Sequence, residues 1–212
     1  ELGAGPPLNV LRLQERMQLL LQNSQIERIN SELGAGSRPG EAVLRMDVAE
    51  AKRRTLGVAV ANNRSPAVGG TRREVNGALR NEFGRGESLA LAFGEAKGLK
   101  DASARLALPV SARDTLLTVK LERTESSVVE PPFNAIDVEN DSEAIEVGLV
   151  HPVHKSIPRE VALGATVARR KNASFLLGQP FSFVPGLADG KSVVAALRLF
   201  GDWNERSASR VL

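Results

Sequence analysis

The chain has 212 residues, room for one large domain or two small ones, and its 42% apolar content is too high for a disordered protein. It contains no cysteine, which excludes disulfides, cysteine–zinc sites and thiol catalysis. The excess of 28 basic over 25 acidic residues, a net charge of +3, is too small to mark a nucleic-acid binder.

No run approaches the ~20 apolar residues of a membrane helix; the longest apolar stretches are short, such as Val193 to Leu197. That excludes a transmembrane helix but not a transmembrane barrel, whose strands alternate and look polar on average. No signal peptide is visible, and Glu1 in place of Met leads us to expect a processed or excised end.

The first fifty residues differ from the rest. After Pro6-Pro7-Leu8, Asn9 is a good N-cap, because its side-chain oxygen can accept an orphan amide of the first turn. Val10, Leu13, Met17, Leu20 and Leu21 then fall at helical spacing, Leu8 and Leu13 can staple the start, and Asn23-Ser24 ends the helix. Two short strands are predicted at Gln25–Asn30 and Ala42–Val48, joined by the turn-rich Gly34-Ala35-Gly36-Ser37-Arg38-Pro39-Gly40. A helix and one hairpin are too small to bury a core.

From Thr55 onward the period changes to two. Eight segments each carry one apolar face: Leu56–Val60, Val75–Leu79, Leu89–Phe93, Leu106–Leu108, Leu117–Leu121, Ile145–Leu149, Val161–Val167 and Val193–Leu199. Their other face mixes small residues with the isolated charges Arg72, Glu74, Arg80, Lys120, Glu122, Glu146, Arg198 and Asp202. A β-sandwich and a membrane barrel with a polar lumen both fit that pattern. Connection lengths separate the two. The earlier connections, at 62–70, 81–86, 95–102 and 111–114, are less distinct, but those at 126–142, 152–158, 172–190 and 204–210 alternate long and short. Outer-membrane barrels have that asymmetry between extracellular loops and periplasmic turns.

Several stretches carry a resemblance. Leu8-Asn9 leads a helix, Pro39-Gly40 lies in a hairpin, and a sheet begins at Leu56-Gly57-Val58-Ala59-Val60-Ala61-Asn62-Asn63-Arg64-Ser65. The segment continues to Gly69-Gly70-Thr71-Arg72, and Leu197-Arg198-Leu199-Phe200-Gly201-Asp202-Trp203 precedes a polar turn. In this order the chain resembles the two-partner secretion transporters, the haemolysin secretion/activation proteins (ShlB, FhaC, HecB type) of Gram-negative outer membranes. Members of that family carry two periplasmic POTRA domains, each a β-α-α-β-β unit, then a sixteen-stranded barrel. They export a large β-rich partner without ATP.

The resemblance implies a mainly β fold. Residues 1–51 would be the C-terminal part of a POTRA (α/β) domain whose first strand lies before Glu1. Residues 52–212 would be the first eight or so strands, the N-terminal half, of an antiparallel transmembrane β-barrel. It implies a fragment placed in the outer membrane with its N-terminal part periplasmic, and a monomer in the full-length form. Its partners would be a secreted exoprotein, outer-membrane lipid and lipopolysaccharide, with no nucleic acid, cofactor or metal, and it would not be an enzyme. Beside it stands the alternative of a soluble or periplasmic β-rich binding or adhesin module.

The candidate sites follow. By the resemblance Gln25, Ile26, Glu27, Arg28, Ile29 and Asn30 would be a POTRA edge to which a client adds β-structure; the other reading is an ordinary hairpin strand. The eight charges of the mixed face would line the lumen, keep it wet and brace the wall through cross-strand ion pairs. Lys52-Arg53-Arg54 either meets lipid headgroups or is a solvated linker; Arg169-Arg170-Lys171, at the outer end of its strand, either meets lipopolysaccharide phosphates or is an exposed charge run. Trp203 sits where a periplasmic girdle residue should, although aromatics are only 4% of the chain. His151-Pro152-Val153-His154 reads as a polar turn with Pro152 ending a strand rather than a metal or acid–base site. No Gly-x-Ser-x-Gly elbow is present, and Gly34-Ala35-Gly36 and Gly84-Arg85-Gly86 lack phosphate-loop spacing.

Overall fold

The computed structural model describes residues 8–21, 26–183, 185, 189–207 and 210–211. Contacts divide the chain into two units, one of Glu1–Arg53, Val153–Val161 and Trp203–Leu212, the other of Arg54–Pro152 and Ala162–Asp202.

In the first unit helix α1 spans Val10–Leu21. Asn9 caps it: its Oδ1 accepts the Arg12 amide at 3.1 Å, and its carbonyl accepts the Leu13 amide at 3.0 Å. Of the expected stripe only Leu13 is buried, while Val10, Leu20 and Leu21 stay exposed. The Asn23-Ser24 stop lies outside the described residues. Strands β1 (Ile26–Ala35) and β2 (Ala42–Glu50) pair antiparallel from Ile26↔Glu50 to Ala35↔Ala42. Gly34 and Ala35, turn residues by composition, continue the ladder as partners of Val43 and Ala42. The reversal begins at Gly36, whose amide donates to the Glu41 carbonyl at 2.8 Å, and it needs the positive φ of Gly40, at 86°.

The remaining strands are β3 (Arg54–Asn62), β4 (Thr71–Arg80), β5 (Ser88–Ala96), β6 (Leu99–Pro109), β7 (Leu116–Ser127), β8 (Val138–Lys155), β9 (Arg159–Leu176), the short β10 (Gln179–Pro180), β11 (Lys191–Ser207) and the short β12 (Arg210–Val211). Each of the eight alternating segments is a strand. Each long strand is hydrogen-bonded to the next in chain order, β10 pairs aside on β9, and β12 pairs with β11. Period-two patterning of β-branched and leucine residues produces this meander, because each strand presents an apolar side to one face of the sheet.

Two expectations change. The connection placed at 95–102 is the two-residue turn Lys97-Gly98, and Glu95 and Lys100 are register partners inside the sheet. Their charges had broken the alternation without ending the strands. Pro152 does not end a strand either: β8 runs on to Lys155 and the turn is 156–158. The β7 pairing stops at Leu116↔Val150, so Pro152 lies past the end of β7, where its missing amide breaks no ladder bond to that strand. The later connections keep their contrast, with 128–137 and 177–190 long and 156–158 short.

Among the described residues the only buried apolar side chains are Leu13, Leu99 and Ala162. Among the described residues no layer packs on the apolar side of the sheet: Leu56, Val58 and Val60 are 81%, 79% and 73% exposed.

Candidate functional site

The register separates two faces. On one, the row Leu56, Gly77, Leu91, Ala104, Leu121 and Ile145 crosses six strands, followed by Leu79, Leu89, Leu106, Val119 and Val147, then Leu108, Leu117 and Leu149. This apolar band is bordered at one end by charge. Arg73, Glu95, Lys100, Glu125 and Asp141 are successive register partners, and Arg123 faces Glu143 one row closer in. A groove of about 790 Å³ opens on this face between Leu56, Leu91, Phe93, Leu121 and Ile145, with Arg123, Glu143, Arg169 and Lys171 along it.

The opposite face is polar and carries the predicted lumen residues. Arg72, Glu74, Arg80, Lys120, Glu122 and Glu146 all fall on it by register, and Arg198 reaches Glu146 at 3.5 Å. Asp202 has the parity of Arg198 on β11 and is exposed. The tightest cluster is around Arg72, whose side chain is 12% exposed. It pairs with Glu74 and with Asp101, where Nε–Oδ1 is 2.9 Å. Glu74, Gly94 and Asp101 share one ladder row, and the guanidinium lies across Gly94, where a Cβ would overlap it. Lys120 meets Glu122 at 2.8 Å, and Glu122 also meets Arg170 at 3.8 Å. A polar cleft of about 350 Å³ lies between Asp101, Ser103, Glu122, Thr124, Ser142 and Arg170.

Periodicity alone did not reveal Gly94 and Asp101, because only the register makes them neighbours of Arg72. The same holds for Gly164, which lies under the ring of Phe200 with no room for a Cβ. An aromatic ring over a strand glycine fills the gap that the missing side chain leaves.

The other candidates fall as follows. Ile26 to Asn30 lie in β1, with a bulge between Ile26 and Arg28, while Gln25 is outside the described residues. Among the described residues β1 pairs only with β2, so its other edge carries no strand. Arg53 pairs with Glu50 at 2.7 Å, and Arg54 donates from Nε to Glu82 at 2.7 Å. The run at 169–171 does not sit at the end of its strand, because β9 continues to Leu176. Its members also split: Arg169 and Lys171 border the apolar groove, while Arg170 turns to Glu122 on the polar face, as strand alternation requires. Trp203 is 64% exposed; the Arg159 guanidinium stacks 5.3 Å from its ring centroid and reaches Glu205 at 3.1 Å. His151 Nδ1 lies 2.8 Å from the Thr115 hydroxyl.

One group was not anticipated. Glu87 ends the turn after β4 and is buried, at 7% exposure. Its carboxylate accepts the Phe83 amide at 2.7 Å and the Arg85 amide at 3.1 Å, while Asn81 Oδ1 accepts the Gly86 amide at 3.0 Å. The Phe83 amide, with smaller help from neighbouring amides, holds the carboxyl below the usual carboxylate range, although burial opposes this. These three hydrogen bonds tie the turn together, and it presents Phe83 at 83% exposure.

No protein-family model matches the chain, and no curated protein matches it. Solved structures do. CdiB from Escherichia coli superposes with a TM-score of 0.72 at 15% identity, over 95% of this chain and 37% of that one. CdiB from Acinetobacter baumannii gives 0.67 at 12% identity, over 96% and 38%. BamA from Haemophilus ducreyi lacking POTRA domains 1–3 gives 0.58 at 13% identity, over 96% and 39%. CdiB is a two-partner secretion transporter, and both proteins are outer-membrane β-barrels. At these identities the likeness is one of fold: the chain shares the antiparallel sheet of these barrels and spans about two fifths of their length.

Proposed function

We propose that the chain is a segment of an outer-membrane protein transporter of the two-partner secretion, haemolysin secretion/activation kind. One observation carries this reading: an apolar face crosses β3 to β8 and, among the described residues, no protein layer lies over it. In water each large apolar side chain left open forgoes roughly 1.5–3 kcal/mol of burial, whereas hydrocarbon covers such a face at no loss. The fold shared with CdiB supports the same reading.

In this proposal the apolar face meets lipid and the polar face lines the lumen. The N-terminal unit is periplasmic, and the open edge of β1 accepts an unfolded β-rich exoprotein through backbone hydrogen bonds. The client passes the wet wall of Arg72, Glu74, Lys120, Glu122, Glu146 and Arg198, and its folding outside prevents return. No residue acts in bond-making chemistry, and the full-length protein works as a monomer. Assembly of other barrels, the second reading, draws on the BamA likeness and is distinguished by the number of domains ahead of Glu1.

Full-length protein extracted in detergent is expected to conduct ions in planar bilayers. A full-length protein recovered soluble from periplasmic extract, without conductance, would overturn the proposal in favour of a soluble binding module.

A further inference from the structure

The apolar groove holds an imbalance of charge. On the same face Arg73 faces Glu95, Lys100 lies between Glu95 and Glu125, and Arg123 contacts Glu125 at 2.9 Å and Glu143 at 3.8 Å. Every basic residue of that border thus has a carboxylate neighbour. Arg169 and Lys171 add two more cations to the groove, where Glu143 on the same face is already in contact with Arg123; among the described residues neither makes an ion pair, and both are exposed. Two residues apart on one strand, they stand about 6.7 Å from each other on one side of the sheet, a spacing that one phosphate group can bridge with two long side chains. The groove beside them is walled by Leu91, Phe93, Leu121 and Ile145, and its volume of about 790 Å³ lies in the range of single-ligand sites. The two features together are the outline of an amphiphile with an anionic head and alkyl chains.

We propose that this groove binds lipopolysaccharide, with an acyl chain along the apolar wall and a lipid A phosphate on Arg169 and Lys171. The proposal rests on the membrane reading above, which also selects the lipid. The chain enters the sheet at Arg54, at the end that holds the turns 81–87, 110–115 and 156–158. Arg169 and Lys171 lie toward the other end, with the loops 63–70, 128–137 and 177–190, which in that reading is the outer leaflet.

The test uses the full-length protein, delipidated in detergent and then offered lipopolysaccharide with diphosphorylated lipid A, phosphatidylglycerol or phosphatidylcholine; bound lipid is counted by native mass spectrometry. Arg169→Gln/Lys171→Gln is expected to retain at least ten-fold less lipopolysaccharide with phosphatidylcholine unchanged. Leu91→Trp, which fills the groove and leaves both charges, is expected to lower retention as well. Arg170→Gln, one residue away on the opposite face, is expected to retain the wild-type amount. Unchanged retention in the double variant overturns the site, and so does an equal loss of phosphatidylcholine. Phosphatidylglycerol held as tightly as lipopolysaccharide overturns the choice of lipid. A second copy on the groove would instead shift the mass of the detergent complex in the variants and leave retention untouched, which also overturns the site. Planar-bilayer conductance of the same preparations reads the transporter proposal separately: conducting protein with unaltered lipid retention removes the lipid site alone.

Discussion

Single residues show where the sheet depends on atoms rather than on pattern. Arg72 can lie between Glu74 and Asp101 only because Gly94 has no Cβ in its path. Gly94→Val is therefore expected to lower the melting temperature of the full-length protein in detergent, and adding Arg72→Ala should recover part of the loss. A double-mutant cycle should give a coupling of about 1 kcal/mol or more, and additive losses would show that the two residues do not compete for space. Glu87 makes a pH prediction. Its carboxyl sits below the usual range in the folded chain, so it adds stability above its unfolded pKa of about 4.3, and that stability is lost as pH falls through the lower folded value. Glu87→Gln should flatten the decline in melting temperature on the acid side of pH ~4.3 while leaving the slope at neutral pH alone. An unaltered acid limb would mean that the amides of Phe83 and Arg85 do not favour the charged form.

At the scale of elements, the two-residue turn between β5 and β6 organises its neighbours. The Gly98 amide donates to the Val68 carbonyl at 2.9 Å, the Ser127 amide donates to the Gly98 carbonyl at 2.8 Å, and the Val129 amide donates to the Ala67 carbonyl at 2.8 Å. The short 3₁₀ turn at Pro66–Val68 is thereby tied to β7 through Gly98, which has no space for a Cβ against Ser127. Gly98→Val should free the 63–70 loop, read as faster trypsin cleavage after Arg64, with no change in the far turn at 110–115. Legibility in the sequence follows the same geography. Where one side of a strand lies within the apolar band and the other is polar, alternation is plain, and all eight long strands are readable from it. Past the border both sides are polar, so alternation marks β8 only over Ile145–Leu149 although it spans Val138–Lys155, and the charges of Glu95 and Lys100 read as a loop. The charged set of the polar face was legible because its residues interrupt runs of small ones. Their partners were not, because Arg72, Gly94 and Asp101 become neighbours only when three strands take a particular register.

For the sheet as a whole, the two faces should respond differently to the same charge. Val147→Arg, on the apolar side, is expected to cost about 2–4 kcal/mol in folding from denaturant into lipid vesicles, while Ser103→Arg, opposite Glu122 on the polar side, should cost far less. Equal costs would place both faces in the same medium. The charged border carries one more consequence. Going toward the loop end from the apolar rows, the first polar residue on this side of β3 is Asn62, whereas on β7 and β8 it is Arg123 and Glu143, whose row leads back through Ala102, Phe93 and Val75 to Val58, four residues earlier. Four residues are about 13 Å along a strand, and the steps from β3 to β8 are about 24 Å across the sheet. A line that drops so far in register runs level with a flat surface only if the strands lean about 30° from the perpendicular. The inclination of the wall is thus inscribed in which residue of each strand first becomes polar, independently of whether the sheet ever closes on itself.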